Sequence, residues 1–87
     1  MQTEFAPAFL RDLDTLPKKI RNRTLSIIER VSSATSPLEI PHLKKLEGNR
    51  IYYRIRIGNY RIGIRFESDT AVFLSCLHRR DIYRFFP

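Results

Sequence analysis

The sequence is short of the residues from which most catalytic centres are built. Among 87 residues there is one cysteine, there are two histidines and three glycines, and tryptophan is absent. A lone Cys76 excludes an internal disulfide and a thiolate metal cluster, and its place in an apolar stretch reads as core rather than nucleophile. Gly48, Gly58 and Gly63 are too scattered to cradle a phosphate as a GxxxxGK[ST] loop does. His42 and His78 show no HxH or HExxH spacing, and Glu47, Glu67, Asp69 and Asp81 no DxD spacing. No metal site and no cofactor are therefore expected. There is no basic segment leading into an apolar leader, and no apolar run nears the roughly 18 residues of a membrane helix. The expectation is a cytoplasmic protein with no membrane partner.

Acid is scarce where base is dense. The chain carries 16 Lys and Arg against 9 Asp and Glu, a formal charge of +7. Residues 1–41 hold six basic and five acidic side chains, and residues 42–87 hold ten and four, so the excess lies in the second half. Such a surface suits nucleic acid, an anionic membrane or an acidic protein.

That half contains the stretch Asn49–Phe66, NRIYYRIRIGNYRIGIRF. Tyr53, Ile55 and Ile57 alternate with Tyr52, Arg54 and Arg56. Beyond Gly58-Asn59, Tyr60, Ile62 and Ile64 alternate with Arg61, Gly63 and Arg65. Period-2 alternation across a Gly-Asn turn predicts a β-hairpin. Its register sets Ile57 opposite Tyr60, Ile55 opposite Ile62 and Tyr53 opposite Ile64. The other face pairs Arg56 with Arg61, Arg54 with Gly63 and Tyr52 with Arg65. Like charges opposite each other destabilise a sheet, and an ordinary solvated face mixes Lys, Glu, Thr and Arg. An arginine-only face points instead to an anionic ligand, whose phosphate oxygens a guanidinium fork can hold in pairs.

Around the hairpin, Met1–Phe5 reads as an edge strand. Ala6–Leu16 reads as a helix with Phe9, Leu10, Leu13 and Leu16 at helical spacing, and Pro17 as a break. Lys18–Val31 is a second helix with an apolar stripe of Ile20, Thr24, Ile27, Ile28 and Val31. His42–Gly48 is expected as a helical turn or loop, Ser68-Asp69 as a tight turn, and Ala71–Leu77 as a strand apolar on both faces. The fold class is α+β in one domain, 1–87, ordered β-α-α-β-β-β. Its helix pair packs on one face of an antiparallel sheet and leaves the arginine face open.

Such a face leaves metal-free RNA cleavage open, in which a 2′-hydroxyl attacks its own 3′-phosphate and the protein positions groups and neutralises charge. Arg54, Arg56 and Arg61 supply cations. His78 is the nearby side chain whose ordinary pKa lies near neutrality, and Tyr83 can stack on a splayed base or donate its hydroxyl. A plain reading remains for each: His78 as a strand-end surface residue, Tyr83 as a ring folded onto the core beside Phe85.

The motifs YRIRIGNYRIGIRF (Tyr53–Phe66) and HRRDIYRFF (His78–Phe86) resemble the RelE/ParE superfamily of type II toxins, within it the RelE-like messenger-RNA interferases. The FxxxLxxLPxxI-like pattern between Phe9 and Ile28 and LKKLEG at Leu43–Gly48 match as well, so the likeness spans nearly the whole chain. It implies a toxin silenced by a cognate acidic antitoxin, which cleaves messenger RNA in the A site of the 70S ribosome. It implies catalytic roles for Arg56, Arg61, Arg79 and Tyr83, with Tyr83 also stacking on a base. Arg54, Arg56, Arg61, Arg65 and Arg80 are the expected phosphate ligands. Where relatives carry a lysine proposed as the base, this chain has arginine, which stays protonated; His78 is the remaining candidate. The alternatives are a ParE-like inhibitor of DNA gyrase without nuclease activity, and a non-catalytic basic domain that binds nucleic acid or antitoxin.

Overall fold

Pro17 divides the helical half of the chain. It has no N–H to continue a helix and crowds the residue before it, so Leu16 is extended (φ −71°, ψ 145°). Helix α1 (Pro7–Thr15) therefore ends there and α2 (Lys18–Ser33) begins. The computed structural model describes residues 1–48 and 50–86. Asn49, first residue of the expected hairpin stretch, and Pro87, last residue of the chain, lie outside them.

Phe9 on α1, Leu16 just past its end, and Thr24 and Val31 on α2 are buried against the sheet, flanked by Leu13, Ile20, Ile27 and Ile28. The Thr24 hydroxyl donates to the Ile20 carbonyl at 2.8 Å, which avoids the cost of an unpaired buried donor. Leu10, expected in the buried stripe, is 50% exposed. It lies about 100° around the helix from Phe9.

Five strands form one sheet in the order β1-β5-β4-β3-β2. They are β1 (Gln2–Phe5), β2 (Leu43–Lys45), β3 (Tyr52–Ile57), β4 (Tyr60–Glu67) and β5 (Thr70–His78). The hairpin β3–β4 has the register read from the sequence, pair for pair. Ser68 and Asp69, at φ 48° and 61°, form the next two-residue turn, with both residues left-handed as a tight hairpin of that twist requires.

Three features differ from the expected order. The segment His42–Gly48 supplies an extra strand, because β3 has an open edge and Leu43–Lys45 pairs antiparallel with Ile55–Tyr53 along it. The sheet is mixed, since β1 runs parallel to β5. A short helix, α3 (Ile82–Phe85), follows β5. Phe86, just past its end, packs over Gly63 and so covers part of the arginine face.

A bulge between Gly63 and Ile64 also breaks the alternation of β5. Ile62 pairs with Cys76 and Gly63 with Ser75, but Ile64 pairs with Phe73, leaving Leu74 as the extra residue. Val72 then shares the arginine side with Arg65, whereas Cys76 and His78 share the helix side with Ile62 and Tyr60. Uninterrupted alternation groups Val72, Leu74, Cys76 and His78 together; the bulge separates them. Burial pushes the Cys76 thiol up to about 12; a hydrogen bond with Thr24 opposes the shift and the Asp12 charge adds to it. The thiol is accordingly an inert packing group.

Strand β1 shields β5 only as far as Phe73. Beyond it the outer edge of β5 would be bare, and there Asp12 of α1 accepts the Cys76 N–H at 3.0 Å. We expect Asp12→Ala to orphan that donor and lower stability by about 1–3 kcal/mol. The urea midpoint should fall with an unchanged denaturant slope. An unaltered midpoint would show that water replaces the carboxylate at no cost.

Candidate active site

The arginines converge because the core side of the hairpin is fixed. Ile55, Ile57, Ile62 and Ile64 face the helices, so Arg54, Arg56 and Arg61 face away. Arg56 stands opposite Arg61, and Arg54 opposite Gly63. Gly58 takes φ 57°, a conformation glycine adopts without strain. The resulting turn presents its carbonyl to Arg61, whose Nη1 donates to Gly58 O at 2.8 Å and Tyr60 O at 3.0 Å. That guanidinium is half-buried and held.

The tail reaches the same place. The Arg79 N–H donates to Asn59 O at 2.7 Å, tying the chain after β5 to the hairpin tip. Helix α3 is anchored by buried Ile82 and, just past its end, by buried Phe86. The Phe86 ring lies over Gly63, where an added Cβ would be 2.6 Å from its Cδ1, and meets Tyr52 edge-on at 5.7 Å. Between these anchors Tyr83 is 57% exposed on the arginine side. It is free of the core, as is Phe85, 70% exposed.

The Arg61 pKa is lowered, first by burial and then by repulsion from Arg54, Arg56 and Arg79, with Tyr83 acting in the opposite sense. It remains a cation at any working pH. The same interactions identify the cluster: Arg54, Arg56, Arg61, Arg79 and Tyr83 are brought together around one guanidinium. Among the described residues of the cluster, only Arg61 has a side-chain hydrogen bond within the fold.

Three predicted residues stand apart. Arg65 is four residues along β4 from Arg61, about 13 Å at strand rise, and its Nε lies 3.3 Å from Glu67 Oε2. His78 sits on the helix side, its ring against Tyr60 at 5.4 Å. Its Nδ1 accepts from Arg80 N at 3.2 Å and Arg80 Nε at 3.3 Å. Arg80 is thereby folded back toward His78 rather than toward the cluster.

Sequence reasoning missed two contributors. Lys44 pairs with Arg54 across β2 and β3, adding a cation to the arginine side; only the unforeseen strand β2 puts it there. The Gly63–Phe86 seat was foreshadowed by a glycine inside an otherwise bulky strand, a mark of close approach by another element. Among the described residues no three His, Cys, Asp or Glu side chains come together as a metal site, and no helix is long and apolar enough to cross a membrane.

Comparison with known proteins agrees with this fold. Residues 3–83 match the family model described as the ParE toxin of the type II toxin–antitoxin system ParDE. The chain is 44% identical, over 88 aligned positions covering all of both sequences, to Toxin RelE3 of Methanocaldococcus jannaschii. It resembles a chain of the RelB–RelE antitoxin–toxin complex from Methanococcus jannaschii with a TM-score of 0.83 and 45% identity, over 97% of this chain and 99% of that one. The archaeal RelE–RelB complex from Pyrococcus horikoshii OT3 shares the fold, with a TM-score of 0.72 and 24% identity over 90% and 93%.

Because Phe86 occupies the space a side chain at position 63 needs, Gly63→Ala should expel the ring and loosen α3. We expect a loss of about 1–3 kcal/mol from overpacking and faster tryptic cleavage after Arg84. Combining it with Phe86→Ala should be markedly less than additive. Strict additivity would show that the ring and the glycine do not constrain each other.

Proposed function

The chain belongs to the RelE/ParE superfamily of type II toxin–antitoxin toxins, and from that premise we propose that it is an endoribonuclease that cuts messenger RNA in the ribosomal A site without a metal ion. The observation that carries this reading is the gathering of Arg54, Arg56 and Arg79 around the held guanidinium of Arg61, with Tyr83 beside them. In the proposed reaction a 2′-oxygen bonds to the adjacent 3′-phosphorus as the bond to the next 5′-oxygen breaks. A 2′,3′-cyclic phosphate and a 5′-hydroxyl result; the 2′-hydroxyl loses a proton and the leaving oxygen gains one. Arg61 and Arg79 neutralise charge developing on the phosphate, Arg54 and Arg56 fix the backbone for in-line attack, and Tyr83 stacks on the displaced base.

No side chain in this scheme is a strong general base. Arginine does not give up its proton. The Nδ1 lone pair of His78 is engaged by Arg80 on the helix side. The rate therefore comes from positioning and charge, with water or a ribosomal group accepting the proton. Arg80 and Arg65 lie at the margins of the RNA path, Arg65 weakened by its pairing with Glu67. The antitoxin is read as an acidic, amphipathic chain that covers the cluster and exposed Phe85, and the place of action as the cytoplasm.

A second reading, gyrase inhibition, is favoured by the ParE character of the matching family model. Primer extension on a reporter message in a translation extract, beside a gyrase supercoiling assay, separates the two. Cut message with normal supercoiling is the expected result; intact message with blocked supercoiling sinks the nuclease. Arg61→Ala and Arg79→Ala should each slow single-turnover cleavage about 10²-fold. His78→Gln should cost less than about tenfold, since a true acid or base contributes 10²–10⁴-fold. A larger loss, accompanied by disappearance of an acidic limb in the pH–rate profile, would restore His78 as the base.

A further inference from the structure

A second basic feature lies around the sheet edge from the cluster. Helix α2 presents Arg23, Ser26 and Arg30 at a spacing of three and four residues, hence on one face. That face, with His42 and Arg56, lines a cleft of about 210 Å³ floored by Ile27 and Ile57. The volume falls below the range of small-molecule pockets and suits a compact anionic group. A neighbouring cleft of about 380 Å³ is lined by Lys44 and Arg54, again with His42 and Arg56. Because His42 and Arg56 line both, the clefts adjoin, one on the α2 side and one on the arginine side of the furrow they border.

Three further observations mark the furrow as a ligand path. Among the described residues neither Arg23, Arg30, Arg54 nor Arg56 has a carboxylate within ion-pair distance. Glu29, the acid next to Arg30, lines with Glu39 a separate recess that Arg30 also borders. His42, where the clefts meet, holds a left-handed conformation at φ 61°, uncommon for a residue with a Cβ. At the hairpin tip, Arg23 Nη1 lies 3.6 Å from the position of a Cβ on Gly58, while Arg61 binds the Gly58 carbonyl. The turn is thus flanked by guanidinium groups from helix and sheet.

We propose that the α2 cleft is a second phosphate-binding groove, holding RNA backbone beyond the nucleotide that is cut, with Arg56 as the link between groove and cluster. It rests on RNA being the ligand but not on the cleavage chemistry. The test is fluorescence-anisotropy titration of a 2′-O-methyl oligoribonucleotide, single-stranded or as a duplex, across a salt series. Arg23→Ala with Arg30→Ala should weaken binding about tenfold. It should also flatten the dependence of log K on log salt by about 1.4 for a single strand, two contacts at ~0.7 each. Lys18→Ala with Lys19→Ala removes the same charge at the start of α2 and should have less than half that effect. A loss confined to the duplex assigns the groove to folded RNA, and a loss on the single strand assigns it to message.

Equal effects of the two pairs, no effect of the arginine pair, or no binding by the unmutated protein each overturn the groove. So does an arginine pair that weakens the antitoxin complex alone, which makes the cleft a protein contact. Binding that responds to Arg23 and Arg30, with the reporter message left uncut in the translation extract, sinks the nuclease reading and leaves the groove standing.

Discussion

Four isoleucines on the hairpin determine where every arginine goes. Ile55, Ile57, Ile62 and Ile64 are exposed by 0%, 1%, 0% and 0%, and burial of each stabilises the fold by about 1.5–3 kcal/mol. Facing arginines across the sheet costs about 0.2–1 kcal/mol per pair. The apolar term is larger several times over, so the fold tolerates Arg56 opposite Arg61. A slip of one residue would expose all four isoleucines and bury the arginines. The register that makes the core is the register that makes the cluster.

That dominance is why the hairpin was legible in the sequence. Residues that alternate strictly keep the isoleucines inside only in registers an even number of residues apart, and the Gly58-Asn59 turn selects one of them. Strand β2 was not legible, because its three residues have no period of their own and form a strand only because β3 offers an edge. Lys44 was hidden with it. The side on which His78 lies was obscured by Leu74, an extra residue that shifts the faces of β5 without any glycine or proline to announce it. The tail's Arg79 and Tyr83 were picked out in the sequence as site candidates, but the structure that holds them was not legible. Its anchor is Phe86 against a glycine 23 positions earlier, where the glycine marks a close approach but nothing in the local sequence says which residue makes it.

The Gly63 seat has a consequence for how Tyr83 is held. A short helix such as α3 (Ile82–Phe85) has too few residues to be stable alone, so its place depends on Ile82 and Phe86 at its two ends. Those residues point inward and leave Tyr83 outward, next to Arg61. The exposed aromatic is therefore positioned by its buried neighbours, and removing its ring should leave the backbone of the site in place.

An arginine cluster without acids has a further property. Its members repel one another, and after burial that repulsion is what lowers the pKa of Arg61. Any anion that settles among them relieves that repulsion as well as forming its own charge-assisted hydrogen bonds. On the proposed reading, message and antitoxin both draw on this relief at the same side chains, so occupation by an acidic antitoxin and by RNA are mutually exclusive. Silencing then needs no change in the toxin's fold. It requires only that the antitoxin's carboxylates reach Arg54, Arg56 and Arg61 first, and among the described residues none of the three has a carboxylate within ion-pair distance, which leaves them available to either.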